Sequence, residues 1–259
     1  MGNHLAKVVF QPPPPQYRGD DTTLINLETS CGNRIPAFFL ECRGAHFTLL
    51  FSHGNAEDLG LIFRYFEDFR NVMRCSIMCY EYSGYGASTG VPEEHAVYAD
   101  IEAAFRYLRD VRKIPWERIV PYGRSIGTAP SVHLATRTPV RGLVLQSPMM
   151  SIYRIPFQFR FTLPGDRFNS VDKISKICSP VFIIHGTRDE IVPVWHGEGL
   201  HRKCVQHGIS YSPYWVDQGD HNNLEIQAAE SFHERFRQFL QYLEQTPVSD
   251  KLRQQVSQL

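Results

Sequence analysis

The chain has 259 residues, with 27 Lys and Arg against 27 Asp and Glu and a hydrophobic fraction of 42%. That length holds one α/β domain and leaves no room for a large second one. Balanced charge gives no electrostatic case for nucleic-acid binding, and no apolar run approaches the ~20 residues that would span a bilayer.

In chain order, residues 1–20 read as a lead-in, stiffened into extended backbone by Pro12, Pro13, Pro14 and Pro15. A domain over 21–245 follows, and 246–259 read as a tail. Apolar patterning places strands at 22–27 and 35–42 with no helix between them. From the strand at 47–51 onward the two element types alternate. Helix 57–74, strand 75–81, helix 93–112, strand 118–122, helix 126–137 and strand 141–146 come first. Strand 181–185, helix 194–207, strand 211–216 and helix 228–244 complete the set. Helix-free strands followed by alternation predict an α/β fold, a mostly parallel eight-stranded sheet with an antiparallel start, flanked by helices.

The alternation stalls before Pro180, over about 148–179, where Tyr153, Phe157, Phe159, Phe161 and Phe168 fall. This segment reads either as a surface excursion packed on the core or as a short lid whose aromatic wall accepts an apolar acyl chain. On the second reading Phe157, Phe159 and Trp195 line the substrate pocket, with Met149 a further lining residue.

Gly123-Arg124-Ser125-Ile126-Gly127 joins the strand at 118–122 to the helix running to 137. A serine at a tight strand–turn–helix junction, with glycine two residues to either side, is a nucleophile elbow. The turn strains the serine backbone, and a Cβ at either glycine would collide with strand or helix. The hydroxyl then stands at the mouth of the sheet, beside the positive end of a helix dipole.

A serine hydroxyl is a weak nucleophile at neutral pH, so it needs a histidine base, and the base needs an orienting carboxylate. The apolar strand 181–185 runs into Gly186-Thr187-Arg188-Asp189, which puts Asp189 in the loop past its end. Strand 211–216 runs into Asp217-Gln218-Gly219-Asp220-His221, which puts His221 in the next such loop. Groups at the carboxyl ends of neighbouring strands converge on one crevice. Order and periodicity therefore select Ser125, Asp189 and His221. Glu190 and Asp217 are the alternative acids. Asp220 adjoins His221, and adjacent residues in an extended loop point apart. His185 reads as a buried structural histidine.

Charge developing on a substrate oxygen calls for preorganised N–H donors, which contribute roughly 3–4 kcal/mol each. The N–H of Ile126 is one. The other falls in Ser52-His53-Gly54-Asn55-Ala56 after strand 47–51, at Asn55 or Ala56, with Asn55 preferred. The glycines of 82–90 lack the spacing and the Lys-Ser/Thr ending of a nucleotide loop. No cofactor is expected, and no metal. Cys31, Cys42, Cys75, Cys79, Cys178 and Cys204 have no zinc spacing and no disulfide pattern. With no glycosylation sequon and no apolar leader, they point to a reducing, cytosolic setting.

The stretches 51–60, 82–86, 123–128, 185–190 and 219–222, taken together, give the chain a close resemblance to the α/β-hydrolase-domain-containing depalmitoylases, the domain-containing-protein-17 group. The match runs from about 7 to 243. It implies an α/β-hydrolase fold, Ser125 as nucleophile, Asp189 as acid and His221 as base. It also implies hydrolysis of palmitoyl thioesters on membrane-associated proteins. The expected partner is thus an acylated protein or a small acyl ester, with peripheral contact to the cytosolic face of a membrane and no nucleic acid. Three departures stand out. No cysteine precedes Cys31, where the group has a lipidated N-terminal cluster; Gly2 offers another acylation point, though Ala6 replaces the preferred Ser or Thr. Glu81 and Asn223 stand where Asp is usual. Fold does not fix substrate, so a peptidase or small-ester hydrolase is the first rival and a non-catalytic binding module the second.

Overall fold

The structure is a computed structural model that describes residues 9–19, 23–156 and 161–257. Eight strands form one sheet: β1 (Ile25–Glu28), β2 (Arg34–Leu40), β3 (Thr48–Ser52), β4 (Ser76–Tyr80), β5 (Ile119–Arg124), β6 (Leu143–Gln146), β7 (Val181–Gly186) and β8 (Tyr214–Val216). Their spatial order is β1-β2-β4-β3-β5-β6-β7-β8. β1 pairs with β2, and β2 with β4, antiparallel; every later pairing is parallel. Every residue of β3, β4, β6 and β7 is buried. Such strands are covered on both faces, which is why they read as unbroken apolar runs.

Helices cover both faces. On one lie α1 (Leu59–Met73) and α5 (Ala229–Gln245). Asp58 caps α1 by accepting the Leu61 N–H at 3.0 Å. From there Leu59, Ile62, Phe66, Phe69 and Met73 recur at helical spacing and pack with Phe232, Phe236 and Phe239 of α5. On the other face lie α2 (Glu94–Arg106), α3 (Thr128–Arg137) and α4 (Trp195–Gln206). Their Val97, Ile101, Phe105, Val132 and Leu200 fill the second core layer.

Element boundaries differ from the periodicity in places with clear causes. The strand expected at 211–216 is ordered as β8 only from Tyr214, because Pro213 has no N–H for the ladder. Helix 93–112 is α2 followed by a single π-turn, Tyr107–Val111. The expected tail holds a helix, α6 (Asp250–Ser257), entered through Ser249, whose hydroxyl accepts the Leu252 N–H at 3.3 Å. Leu252 is buried. All six cysteines are free thiols. Among the described residues no helix is long and apolar enough to cross a membrane.

The stalled segment has a double character. Phe168 is fully buried and packs edge-on against Phe10 and Tyr98, as a core excursion would. Arg154 and Asp166, both nearly buried, pair at 3.2 Å across its turn. Residues on its first half instead face an open cavity at the carboxyl edge of the sheet. The loops after β3, β5, β7 and β8 meet there, because parallel strands send all their carboxyl ends to one side.

Candidate active site

Ser125 occupies the turn between β5 and α3 with φ 54°, a left-handed conformation that costs a non-glycine residue about 1–3 kcal/mol. Packing enforces it. A Cβ on Gly123 would overlap the Gly127 carbonyl, and one on Gly127 would overlap the Ser52 carbonyl. Side-chain hydroxyls close the turn: Thr128 Oγ1 donates to the Ser125 carbonyl at 2.6 Å and Ser131 Oγ to the Gly127 carbonyl at 2.9 Å.

The three residues selected from chain order stand in a hydrogen-bonded line. Ser125 Oγ lies 2.9 Å from His221 Nε2, and His221 Nδ1 lies 2.7 Å from Asp189 Oδ2. A carboxylate only accepts, so Nδ1 carries the proton and Nε2 is left to accept from the serine. Asp189 Oδ1 takes the N–H groups of Ile191 at 3.0 Å and Val192 at 2.7 Å. Burial alone would raise the Asp189 pKa; donors from His185, His221 and Val192 outweigh it and hold the carboxyl well below the usual carboxylate range. The other acids point elsewhere. Asp220 accepts from Asn222 N–H and Asn223 Nδ2, both at 2.8 Å, and Asp217 accepts from Gln218 Nε2 at 3.2 Å. Glu190 is exposed.

His185 does more than pack. Its Nε2–H donates to the Val192 carbonyl at 2.7 Å and lies 3.2 Å from Asp189 Oδ2. It therefore ties the acid loop to β7 and adds a donor beside the carboxylate. The available signal was its place four residues before Asp189, at the end of an apolar strand.

Across the serine, the Gly54 N–H is already used, donating to Glu57 Oε2 at 2.6 Å. Among the described residues the N–H groups of Asn55 and Ala56 make no hydrogen bond. Asn55 and Ile126 both border the cavity, as does Ser125. Arg124, next to the serine, pairs with Glu57 and, at 3.0 Å, with Glu225. Gln146 Nε2 also donates to Glu225, at 2.7 Å. Beneath this loop His53 and Glu81, both fully buried, approach to 2.8 Å, and His53 Nδ1 donates to the Gly54 carbonyl at 2.8 Å.

The cavity has a volume of about 860 Å³. Val9, Met149, Ile152, Ile155, Pro156, Leu163, Ile191 and Val192 make its wall largely apolar, while Glu57, Arg124, His221 and Asn222 make a polar margin around the serine. Met149 lines it as expected. Trp195 does not, which corrects the expectation from its position. It stacks on His196 at 3.9 Å, at the start of α4. His196 is the buried neighbour; its Nδ1 accepts the Met150 N–H at 3.0 Å, and burial pushes its pKa down to about 4. Successive helix residues diverge by about 100°, so turning His196 inward leaves Trp195 at the side. Phe157 and Phe159 lie outside the described residues, as does Gly2. Among the described residues no group of three or more His, Cys, Asp or Glu side chains could hold a metal ion.

This architecture has many solved counterparts. The Pyrococcus furiosus esterase Pf2001 superposes with a TM-score of 0.72 at 18% identity, over 88% of this chain and 98% of that one. Est1E from Butyrivibrio proteoclasticus, solved with ferulic acid bound, gives 0.67 at 17%, over 86% of this chain and 100% of that one. At such identities the likeness shows the fold alone, an α/β-hydrolase fold. No family model matches the chain. Curated relatives are much nearer in sequence. Alpha/beta hydrolase domain-containing protein 17B of Homo sapiens is 45% identical over 214 residues, 82% of this chain and 73% of that protein. Alpha/beta hydrolase domain-containing protein 17C of Xenopus laevis is 41% identical over 225 residues, 86% of this chain and 71% of that protein. With that identity over most of both chains, this protein belongs to the alpha/beta hydrolase domain-containing protein 17 family.

Proposed function

We propose that the protein is a serine hydrolase of acyl thioesters or esters, with long-chain acyl thioesters on proteins as its preferred substrates. The observation that carries this reading is the line Ser125–His221–Asp189, with distances of 2.9 and 2.7 Å, opening on an apolar cavity of about 860 Å³. Ser125 Oγ attacks the acyl carbonyl while His221 Nε2 takes its proton. Asp189 steadies the imidazolium, and the N–H groups of Ile126 and Asn55 receive the oxyanion. The imidazolium then protonates the departing thiol or alcohol. Water, deprotonated by the same histidine, attacks the acyl-serine, and the carboxylic acid leaves.

Chain length supports the long-acyl preference. Each buried methylene contributes about 0.8 kcal/mol, and an apolar wall that includes Met149, Ile152, Ile155 and Leu163 has room for many of them. Every two carbons removed should then lower kcat/KM by about 15-fold until the chain no longer fills the wall. The test compares an S-palmitoyl cysteine peptide, an octanoyl ester and a short peptide amide, with Ser125→Ala as control. Ser125-dependent preference for the palmitoyl thioester supports the reading. Turnover of only the short ester or the amide replaces it with a small-ester hydrolase or peptidase. No turnover, together with no fluorophosphonate labelling of Ser125, leaves a binding module.

A further inference from the structure

The oxyanion side of the site is held by a segment that precedes the sheet. Residues 9–17 lie across the loop after β3. Asn55 Nδ2 donates to the Val9 carbonyl at 2.8 Å. Asn55 Oδ1 accepts from the Gln11 N–H at 3.0 Å and from the Tyr85 hydroxyl at 2.7 Å. Farther along, the Gln16 N–H donates to Asp58 Oδ2 at 2.6 Å, and the Tyr17 hydroxyl to Glu81 Oε2 at 2.9 Å. Gly60 lies against the Gln16 backbone, where a Cβ would fall 2.7 Å from the carbonyl carbon. Between these anchors Phe10 is buried edge-on to Tyr85 and Phe168.

A carboxamide offers four hydrogen-bonding positions, and Asn55 uses three of them, two on this strap. Its side chain has one orientation as a result, and its Cα and backbone N–H turn with it. The turn needs such an anchor. Its N–H groups at 55 and 56 make no hydrogen bond among the described residues, so no backbone ladder fixes their direction. A donor for a transition-state charge must be held within about 0.5 Å of its working position, because reorganisation during the reaction subtracts from the stabilisation it supplies.

We infer that the strap of residues 9–17 and the Asn55 carboxamide are positioning elements of the oxyanion hole, aiming the Asn55 backbone N–H at the substrate oxygen. The inference rests on the acyl-transfer reading above. Neither element touches the reacting atoms through a side chain; both act through that N–H. Their loss therefore falls on kcat and leaves KM for a short substrate nearly unchanged.

Asn55→Ala removes all three side-chain bonds and keeps the backbone N–H. Gln11→Pro, at an exposed position, removes the strap's donor, which Asn55 Oδ1 and the Tyr85 hydroxyl share, and keeps the backbone extended. Both are compared with wild type on p-nitrophenyl butyrate and for affinity to butylboronic acid, which forms a tetrahedral adduct on the serine. The expected loss in kcat is about 30-fold for Asn55→Ala and about fivefold for Gln11→Pro, with KM within about twofold. Boronate affinity falls in step, while saturating fluorophosphonate still labels Ser125 fully. Unchanged kcat in a folded variant, or lower kcat with unchanged boronate affinity, overturns the inference; should Asn55→Ala not fold, Gln11→Pro decides. Wild-type protein lacking Ser125-dependent turnover overturns the acyl-transfer reading and this inference together. Ser125-dependent turnover with unaffected variants overturns this inference alone.

Discussion

The two sides of Ser125 are built on different principles. On the proton side, Asp189 and His221 sit on the loops after β7 and β8, and the line from carboxylate to hydroxyl uses two hydrogen bonds. On the oxyanion side, the loop after β3 is oriented by contacts from dispersed segments: Glu57 on Gly54, Glu81 beside His53, Tyr85 and the strap on Asn55. A relay concentrated in few groups should fail all at once when one is removed. A scaffold spread over many should fail by degrees, and part of each loss should register as stability.

The largest expected effect lies in the relay itself. Ser125→Ala should lower kcat by about 10⁵-fold or more, and Asp189→Asn by about 10³- to 10⁴-fold, measured on a short ester with KM little changed. A loss of less than about tenfold in Asp189→Asn would remove Asp189 from its role and reopen the choice of acid. His185→Gln comes next. It keeps a donor but changes its placement beside Asp189, and about tenfold in kcat is expected. An effect as large as that of Asp189→Asn would make His185 a full member of the relay and weaken the contrast.

On the scaffold side the effects turn toward stability. Glu81→Gln removes one charge from the buried contact with His53 while retaining acceptors for Tyr17 and the Leu59 N–H. Changing the buried polar atom that faces the imidazole should cost about 1–3 kcal/mol, readable as a lower denaturation midpoint with an unchanged denaturant slope. The smallest effect is a pH dependence. Asp100 is buried beneath the loop after β4, and burial, opposed by the N–H and hydroxyl of Ser83, pushes its pKa up to about 7. A carboxyl raised in the folded state contributes stability below about pH 4 that is lost as pH rises through about 7. Asp189 is depressed, so its contribution is present above about pH 4 and lost as pH falls. Asp100→Asn should therefore flatten the fall in melting temperature between about pH 4 and pH 7, by a few degrees. An identical profile in wild type and the Asp100→Asn variant would show that Asp100 does not titrate in that window.

The same contrast explains what could be read from residues alone. Ser125, Asp189 and His221 each follow a strand pattern, and their strands β5, β7 and β8 stand in the same order in the sheet as in the chain. The elbow was legible because its glycines answer a steric demand at fixed spacing. The strap was not. Four successive prolines read as a stiff lead-in, and nothing in local periodicity announces hydrogen bonds from Gln11 to residues 44 and 74 positions away. Trp195 shows the opposite failure: an aromatic near the acid loop is apolar enough for a pocket, but the neighbouring His196 takes the inward position. At the sheet edge Pro213 shortened β8 by a rule visible in the sequence, whereas α6 is a mostly polar helix held by one buried leucine.

The strap also sets an order of events during synthesis. Residues 9–17 leave the ribosome before any strand of the sheet, yet Phe10 has no complete seat until Phe168 has been made. At about 5–20 residues per second, the segment waits on the order of ten seconds or more before it can dock. Throughout that interval the loop after β3 lacks full anchoring, and His221 has not yet been translated. A nascent chain thus carries Ser125 well before it carries His221, and on the acyl-transfer reading the serine has no base until most of the chain has been translated.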